Sequence, residues 1–335
     1  MVISGEYGRA QMTKIFITGA SGFLGGHLTK LSAEKYNTVG AYHSYKFDIP
    51  NVKSVYSDLS KPKLLVELFN SYKPDIIIHN AAYPNPDKCE ENPDLAFKIN
   101  TESTGAIAKW AERNNRRLIF ISTDMVFDGR KGNYSEEDPV GPLSTYAKTK
   151  VEAEKLVLDK CKNAVVCRIA LMYGRGVFPR QYGSEWLERV LKEKYSSKIE
   201  EPILLFSDQY RSMISVNNSA RAIMEVALTD YCGILHLGGS ERINRYEFGE
   251  KLCDALGLPQ SLIRETKYDD LTFRRLIQKN PAGKAFGRLG RNTPRPKDVS
   301  LNISRASSFL KTKLLNVDDG LEEIYPSEGL EPSEG

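Results

Sequence analysis

Tyr146 and Lys150 are the two side chains whose types and spacing point most clearly to chemistry. Four residues apart, they share one face of a helix, so the lysine ammonium can lie beneath the phenol and lower a pKa that is normally ~10. A phenol tuned in this way donates a proton to a carbonyl oxygen while hydride arrives at the carbon. Upstream, Thr123 follows Ser122 at the end of a predicted strand, where its hydroxyl can bind the same oxygen. Thr123, Tyr146 and Lys150 are therefore the predicted catalytic residues for reduction of a carbonyl group, although tyrosine and lysine at this spacing are also common on solvated helix faces.

A glycine-rich turn supplies a matching cofactor site. Gly19, Gly22 and Gly25 lie between the first predicted strand and the helix that follows it. Glycines there allow a tight turn and a close approach of a dinucleotide pyrophosphate, whose charge is met by the amides and dipole of the helix N-terminus. A turn without a ligand can show the same pattern, but its position after the first strand favours a dinucleotide site. The predicted contacts are Gly19, Ser21, Gly22, Phe23, Leu24 and Gly25.

The residues after the second predicted strand bear on the choice of cofactor. A carboxylate there would accept the ribose hydroxyls of NAD, and the sequence has none. His43, Ser44 and Lys46 stand there instead and can hold a 2′-phosphate, so NADP is favoured over NAD, with NAD still possible and an ordinary solvated loop as the alternative. After the next strand, Asp58 and Leu59 are predicted to flank the adenine, with Asp58 accepting from its amino group.

The elements that must position these residues follow a regular alternation. Short apolar runs at residues 15–18, 38–42, 76–78, 118–122 and 165–170 are separated by helical patterns, including residues 62–71, 95–113 and 146–159. Such alternation is typical of successive βαβ units. We therefore expect an α/β fold, a doubly wound Rossmann-type parallel sheet with a smaller α+β C-terminal substrate domain.

Breaks in this rhythm suggest the domain limits. We expect a flexible tail over residues 1–11 and an NADP-binding domain over residues 12–173, to which residues 212–235 return. Residues 174–211 and 236–315 are predicted to form the substrate-binding domain. Residues 316–335 contain PSEG twice and are expected to be a disordered tail.

Composition excludes several classes of protein. The 335 residues carry 47 Lys and Arg against 43 Asp and Glu, a net charge of +4 that argues against nucleic acid as the main partner. Five cysteines without C-x-x-C spacing indicate neither a disulfide framework nor a metal site. Without an apolar run of membrane-spanning length or a signal peptide, we expect a cytoplasmic protein with no membrane partner. A homodimer remains possible.

Two further features leave alternatives open. Residues 271–297 hold eight basic side chains and no acidic one, so they either contact a nucleoside diphosphate or form a solvated surface. His79 follows a buried strand and is interpreted as a satisfied core histidine with no catalytic role.

Several strings resemble one known family, the extended short-chain dehydrogenases/reductases, and within it the dTDP-4-dehydrorhamnose reductase group. The regulatory beta subunit of methionine adenosyltransferase is also similar to this group. The strings are ITGASGFLG at 17–25, NAAY at 80–83, DKCE at 87–90, IN at 99–100, STDMVFDG at 122–129 and RPKDVSL at 295–301. STD-x-VFDG is specific to this branch, and the resemblance covers residues 14–310.

The resemblance implies NADPH-dependent reduction of the 4-keto group of a nucleotide-activated deoxysugar, with Tyr146 as proton donor. It implies that Lys150 also reaches the nicotinamide ribose and that Asn100 supports the site. The further cofactor contacts that it implies are Asn80, Ala81, Ala82, Tyr83, Asn100, Tyr146 and Lys150. The implied substrate contacts are Pro84, Pro86, Met125, Val126, Phe127, Arg211 and Arg295. Arg211 stands where the reductases commonly have glycine, which keeps open a non-catalytic, NADP-binding regulatory or scaffold subunit.

Overall fold

Seven parallel strands form the central sheet of the computed structural model, which describes residues 13–179, 182, 185–268 and 293–326. In sheet order the strands are β11 (Gly233–Leu237), β6 (Ala164–Ile169), β5 (Arg117–Thr123), β4 (Ile76–His79), β1 (Lys14–Thr18), β2 (Asn37–Tyr42) and β3 (Val52–Tyr56). The order runs outward in both directions from the β1–β4 pair, as in doubly wound folds. The predicted fold class is confirmed.

Alternation along the strands divides the core between the two faces of the sheet. In β1, Ile15 and Ile17 belong to one buried cluster and Phe16 to the other. This is the period of two expected for a strand whose side chains point to opposite faces. Both faces are apolar because helices cover both, which explains the continuous isoleucine run of β4.

Helices pack on the two faces in separate layers. On one face α1 (Phe23–Ala33) contacts α8 (Val216–Ala227). On the other, α5 (Ser103–Arg113) contacts both α2 (Pro62–Tyr72) and α6 (Thr145–Lys160). In the part of the chain that the structure describes, no helix is both long and apolar enough to cross a bilayer.

The helix predicted over residues 95–113 is interrupted. The chain forms α3 (Pro86–Glu91) and α4 (Pro93–Phe97), then a π-helical turn, Lys98–Glu102, before α5 begins. Single π turns inside helices are frequently found at functional sites. This turn carries Asn100.

The second half of the chain adds a smaller lobe, here called the second lobe. It contains α7 (Trp186–Ser196), α9 (Arg245–Ala255) and three two-stranded sheets. The sheets pair β7 (Met172–Tyr173) with β10 (Ile214–Ser215), β8 (Ile203–Phe206) with β13 (Ile263–Thr266), and β9 (Tyr210–Arg211) with β12 (Ile243–Asn244). Before α9 the chain returns to the central sheet, where β11 pairs with β6.

The C-terminal segment is more ordered than expected. After a short helix, Ser304–Phe309, the chain forms a second one, Val317–Glu322, whose Val317 and Leu321 are buried in the core of the second lobe. Two apolar residues four apart give this short helix a buried face. The prediction of disorder from residue 316 is therefore wrong for residues 316–326. Residues 327–335 and the predicted tail at 1–11 lie outside the described residues.

Candidate active site

The three predicted catalytic residues meet where β5 ends and α6 begins. Thr123 is the last residue of β5, while Tyr146 and Lys150 lie in the first turns of α6. The Ser144 side chain caps α6 by accepting a bond from the amide of Ala147 at 3.2 Å. The Thr123 side chain lowers the pKa of the Tyr146 phenol, and its hydroxyl donates to the Asp124 carboxylate at 3.2 Å. Two groups able to bind one carbonyl oxygen are thus adjacent.

The Tyr146 phenol is held in its protonated form. Burial raises its pKa well above the usual value, Asp124 and Cys89 raise it further, and the bond from Thr123 offsets part of the rise. The predicted lowering of this pKa by Lys150 is therefore wrong for this structure. The phenol therefore carries the proton that a donor must have, but its high pKa makes it a weak acid until a positive charge lies near it.

Lys150 points toward the sheet rather than under the phenol. Its Nζ donates to the carbonyl of Ile121 at 2.5 Å and lies 4.0 Å from the centroid of the Phe120 ring. Burial lowers the pKa of this amine to about 7, with Glu154 acting in the opposite sense. The buried amine therefore loses its proton more readily than an exposed lysine does. Its approach to a nicotinamide ribose stays a prediction.

The glycine turn before α1 is shaped by close contacts. Gly19 has φ +67°, and a Cβ there would lie 2.9 Å from the Cα of Ala81. A Cβ on Gly25 would lie 1.9 Å from the carbonyl oxygen of Gly19. No side chain caps α1 at Gly22, and its first turn has no acidic residue. The turn thus fits a pyrophosphate, since the N-terminal end of α1 has neither a side-chain cap nor a repelling carboxylate.

Of the side chains near this turn, Leu24 packs into the core and Phe23 contacts Tyr182. Leu24 is buried in the core, so only its backbone is left to face a cofactor. The Phe23 ring lies 5.5 Å from that of Tyr182, and the Tyr182 hydroxyl donates to the carbonyl of Ser21 at 3.3 Å. Tyr182 could not be predicted as a neighbour of this turn, because no local pattern joins residues so far apart along the chain.

The residues predicted to read the ribose phosphate are accessible. His43, Ser44 and Lys46 are all exposed after β2. The Nδ1 of His43 lies 2.9 Å from the Oγ of Ser44, and its ring stacks on that of Tyr56. This surface fits a 2′-phosphate, since it presents a cation and a hydroxyl to solvent.

Asp58 follows β3, and one of its carboxylate oxygens is hydrogen-bonded within its own loop. Its Oδ1 accepts bonds from the Ser60 amide at 2.9 Å and the Ser60 hydroxyl at 2.7 Å. The Ser60 hydroxyl is the largest cause that lowers the Asp58 pKa, so the carboxylate stays charged. Leu59 packs against the core. The second oxygen of Asp58 lies 3.6 Å from Lys61 and is the one left for an adenine amino group.

Thr18, which the sequence did not single out, organises the segment after β4. Its hydroxyl accepts bonds from the amides of Asn80 and Ala81, each at 3.1 Å. The same oxygen lies 2.8 Å from the Nδ1 of His79, whose Nε2 lies 3.0 Å from the Thr104 hydroxyl. Both His79 nitrogens are bonded and burial lowers its pKa to about 3, as expected of a core histidine. Ala82 follows, half-buried, at the same strand end.

Asn100 positions Tyr83 from behind. Its side-chain oxygen accepts from the Tyr83 amide at 2.7 Å, and its Nδ2 donates to the Tyr83 carbonyl at 3.2 Å and the Thr149 hydroxyl at 3.0 Å. Asn100 is buried, and these partners use its Nδ2 donors and one lone pair of its side-chain oxygen. It therefore supports the Tyr83 backbone, and its direct contact with the cofactor stays a prediction.

The residues predicted to bind substrate separate into exposed and buried sets. Pro84 is exposed, and Pro86 and Met125 are half-buried. Val126 and Phe127 are fully buried in a cluster with Val299 and Leu301, so the prediction that their side chains contact substrate is wrong. The STD-x-VFDG string thus serves partly to pack this loop against a distant segment.

Arg211 is also buried. Its Nε lies 3.6 Å from Asp124, the neighbour of Thr123, and its terminal nitrogens donate to the carbonyls of Tyr210 at 2.6 Å and Pro296 at 3.3 Å. The expected direct contact with substrate is therefore wrong for this structure. Arg211 instead ties the second lobe to the strand end that carries Thr123.

A polar pocket of about 690 Å³ opens beside this tie. Arg295 lies at its wall and pairs with Asp87 at 3.4 Å. The basic residues that line the pocket are Arg130, Arg242, Lys267, Arg295 and Lys297. Most of the basic stretch at 271–297 lies outside the described residues, which include it only from residue 293 onward. Within the described ranges, no group of three His, Cys, Asp or Glu side chains is arranged to hold a metal ion.

Comparison with known proteins places the chain among sugar-nucleotide enzymes and their relatives. Residues 12–326 match the family described as "RmlD substrate binding domain". A probable low-salt glycan biosynthesis reductase, Agl14 of Haloferax volcanii, is 31% identical over 262 residues, covering 76% of this chain and 84% of the relative. Subunit beta of mouse methionine adenosyltransferase 2 is 31% identical over 255 residues, covering 75% and 74%.

A solved structure shares the fold. The dTDP-4-dehydrorhamnose reductase of Bacillus anthracis, in complex with NADP, superposes with a TM-score of 0.75 at 23% identity. The match covers 95% of this chain and 99% of the other. At this level of identity, the likeness shows the fold.

Proposed function

Since the chain belongs to the RmlD substrate-binding-domain family, we propose that it is an NADPH-dependent oxidoreductase that reduces the 4-keto group of a nucleotide-activated deoxysugar. The membership confirms the resemblance predicted from the sequence. The observation that carries the proposal is that Thr123 and Tyr146 lie at the junction of β5 and α6, where the Thr123 side chain acts on a phenol that keeps its proton. Reduction of a carbonyl requires such a donor.

In this proposal the protein's own groups act on the carbonyl oxygen. Tyr146 donates its proton to that oxygen, while the Thr123 hydroxyl donates a hydrogen bond and fixes the carbonyl in place. Bound NADPH would supply the hydride that the carbonyl carbon accepts. Asp124 and burial disfavour a lone phenolate, so the negative charge left on Tyr146 needs a compensating cation. Lys150 is the cation on the same helix face, and its amine would have to turn from the Ile121 carbonyl toward the phenol to fill this role.

The cofactor is assigned from residues of the first lobe, the part built on the central sheet. The turn at Gly19, Gly22 and Gly25 would hold the pyrophosphate, and His43, Ser44 and Lys46 the 2′-phosphate. The solved relative of the same fold contains NADP. These observations support NADP, with NAD as the less favoured choice.

The polar pocket is the proposed site for the nucleoside diphosphate. Its lining has five basic side chains and three aspartates, which leaves an excess of two positive charges, and arginine forks pair well with phosphate oxygens. Arg295 lies between this pocket and Asp87 at the start of α3, which places it beside the loop of Pro84 and Pro86. Leu143, which also lines the pocket, lies just before α6 and three residues before Tyr146 in the chain. In this proposal the diphosphate lies in the polar pocket and the sugar extends toward Tyr146.

A second candidate function has one observation in its favour. The regulatory methionine adenosyltransferase subunit matches this chain at the same 31% identity as the probable reductase. The alternative is a dinucleotide-binding regulatory subunit that keeps the fold without turnover, since fold does not fix function. The intact Thr123, Tyr146 and Lys150 set favours the enzyme.

Turnover measurements separate the two functions. The full chain is mixed with NADPH and, in turn, with nucleotide-linked 4-keto-deoxysugars that differ in base and sugar, and NADPH oxidation is followed by absorbance. The proposal expects oxidation with at least one of them. NADPH that binds tightly but is not consumed with any of them would contradict the enzyme and favour the regulatory subunit.

A further inference from the structure

A buried ion pair lies directly behind Lys150. Glu154 follows Lys150 by one helical turn on α6, and both side chains are buried. Arg168 of β6 donates to the two Glu154 carboxylate oxygens, at 2.8 Å from its terminal nitrogen and 3.2 Å from Nε. Ser122 of β5 donates to the same carboxylate. One carboxylate is therefore bound from two neighbouring strands.

This arrangement fixes α6 against the strand end that carries Thr123. Ser122 immediately precedes Thr123, and Glu154 lies on the same helix face as Tyr146 and Lys150, at successive turns. The amine of Lys150 is itself bonded to the carbonyl of Ile121, one residue before Ser122. Glu154, Arg168 and Ser122 together form what we call the clamp. The distance between the Thr123 hydroxyl on β5 and the Tyr146 phenol on α6 thus depends on it.

The clamp also sets the charge around Lys150. From β4, His79 faces the amine but is neutral at ordinary pH, because burial lowers its pKa to about 3. On α6 the neighbours are Tyr146, which keeps its proton, and Glu154. From β6 comes Arg168, and β5 contributes only uncharged groups. Among these neighbours, Glu154 is the group that brings negative charge toward the amine, and Arg168 opposes it.

We propose that Glu154 is a positioning residue for the reaction: held by Arg168 and Ser122, it fixes α6 against the sheet and keeps the Lys150 amine charged. This inference rests on the proposed function, in which Lys150 acts as an ammonium. A buried ion pair seldom adds stability over apolar residues of similar size, so its presence beside the catalytic set calls for another role.

Removal of the negative charge of Glu154 and removal of the positive charge of Arg168 should shift the Lys150 pKa in opposite directions. Glu154→Gln removes the negative charge, so the Lys150 pKa should fall below about 7 by on the order of one unit. Arg168→Met leaves Glu154 unopposed, so the pKa should rise. Glu152→Gln is the matched control, since Glu152 lies on the same helix but is exposed and pairs with Lys155 at 2.8 Å. If the clamp only held the structure together, Glu154→Gln and Arg168→Met would shift the Lys150 pKa in the same direction or not at all.

The experiment titrates Lys150 in the full chain without substrate, by NMR of lysines labelled at the ε-carbon, with the signal assigned from Lys150→Arg. The expected result is a lower midpoint in Glu154→Gln, a higher one in Arg168→Met and no change in Glu152→Gln. An unchanged midpoint in Glu154→Gln, or shifts of the same sign in both variants, would overturn the inference. If a single variant fails to fold, the double variant Glu154→Gln/Arg168→Met replaces it, because it leaves neither charge buried without a partner. The midpoint of its Lys150 titration should still lie below that of the unmodified chain.

A kinetic readout separates this inference from the proposed function. With a substrate that turns over, the alkaline limb of the kcat/KM profile should follow the NMR midpoints, because only the protonated amine is active. Midpoint shifts without turnover on any 4-ketosugar would contradict the proposed function while the coupling of Glu154 to Lys150 stands. If the enzyme turns over and Glu154→Gln does not change the pH profile of kcat/KM, the inference is overturned while the proposed function stands.

Discussion

At the residue scale, the site keeps the Tyr146 phenol protonated. Burial and the nearby Asp124 carboxylate raise the pKa of the phenol, and the Thr123 side chain only partly offsets the rise. A raised pKa keeps the proton in place but makes its donation harder, so the proposed reaction needs a positive charge near the phenol. The proposal gives this role to Lys150, which is why the lowering of its own pKa by burial matters.

Lys46 provides the residue-scale test of the cofactor assignment. Lys46→Ala should weaken NADPH binding about tenfold, which corresponds to ~1.4 kcal/mol, and leave NADH binding in place, because only NADPH carries the 2′-phosphate. Fluorescence titration of both cofactors measures this. Lys30→Ala, an exposed change on α1, is the control. Tighter binding of NADH than of NADPH by the unmodified chain would contradict the assignment.

At the element scale, the turn into α1 depends on glycine at Gly25. Gly25→Ala should lower both stability and NADPH affinity, because the new Cβ would lie 1.9 Å from the Gly19 carbonyl and must displace backbone. Gly105→Ala, in α5, is the matched control: its Cβ would meet the flexible end of Leu156 at 3.0 Å, and alanine favours a helix. Thermal unfolding compares them. A Gly25→Ala protein as stable as the Gly105→Ala protein would refute this explanation of the turn.

The same scale shows what the sequence can and cannot predict. Local apolar patterns, which the βαβ alternation makes regular, predicted β1, β2, β4, β5 and β6 and the positions of Thr123 and Tyr146. The burial of Phe127 did not, because it depends on Val299 and Leu301, far along the chain. The direction of the Lys150 amine could not be predicted for a similar reason. Its spacing from Tyr146 fixes the helix face on which it lies, whereas the adjacent strand, which offers the Ile121 carbonyl, decides where the amine points.

At the scale of the whole molecule, Asp124 and Arg211 join the two lobes beside the catalytic set. The pair is buried, with a separation of 3.6 Å, and Arg211 also binds the segment that carries Pro296. Burial raises the pKa of Asp124 and Arg211 opposes the rise. The pair therefore fixes the second lobe relative to Thr123.

A double-mutant cycle measures this tie. Arg211→Met should lower the free energy of unfolding by roughly 3 kcal/mol, because it leaves the Asp124 carboxylate buried without its partner. Asp124→Asn/Arg211→Met should recover most of the loss, since neither charge then remains. Denaturant unfolding of the full chain gives both values. An Arg211→Met protein with unchanged stability would show that the lobes are held by other contacts.

The central claim, that Tyr146 donates the proton, is tested most directly by Tyr146→Phe in steady-state reduction of a nucleotide-linked 4-keto-deoxysugar at neutral pH. The change removes only the hydroxyl, so kcat should fall by about 10²-fold or more while NADPH affinity holds. Tyr195→Phe, which removes a hydroxyl from an exposed tyrosine on α7, should keep the full rate. A Tyr146→Phe protein that retains most of its rate would contradict the account.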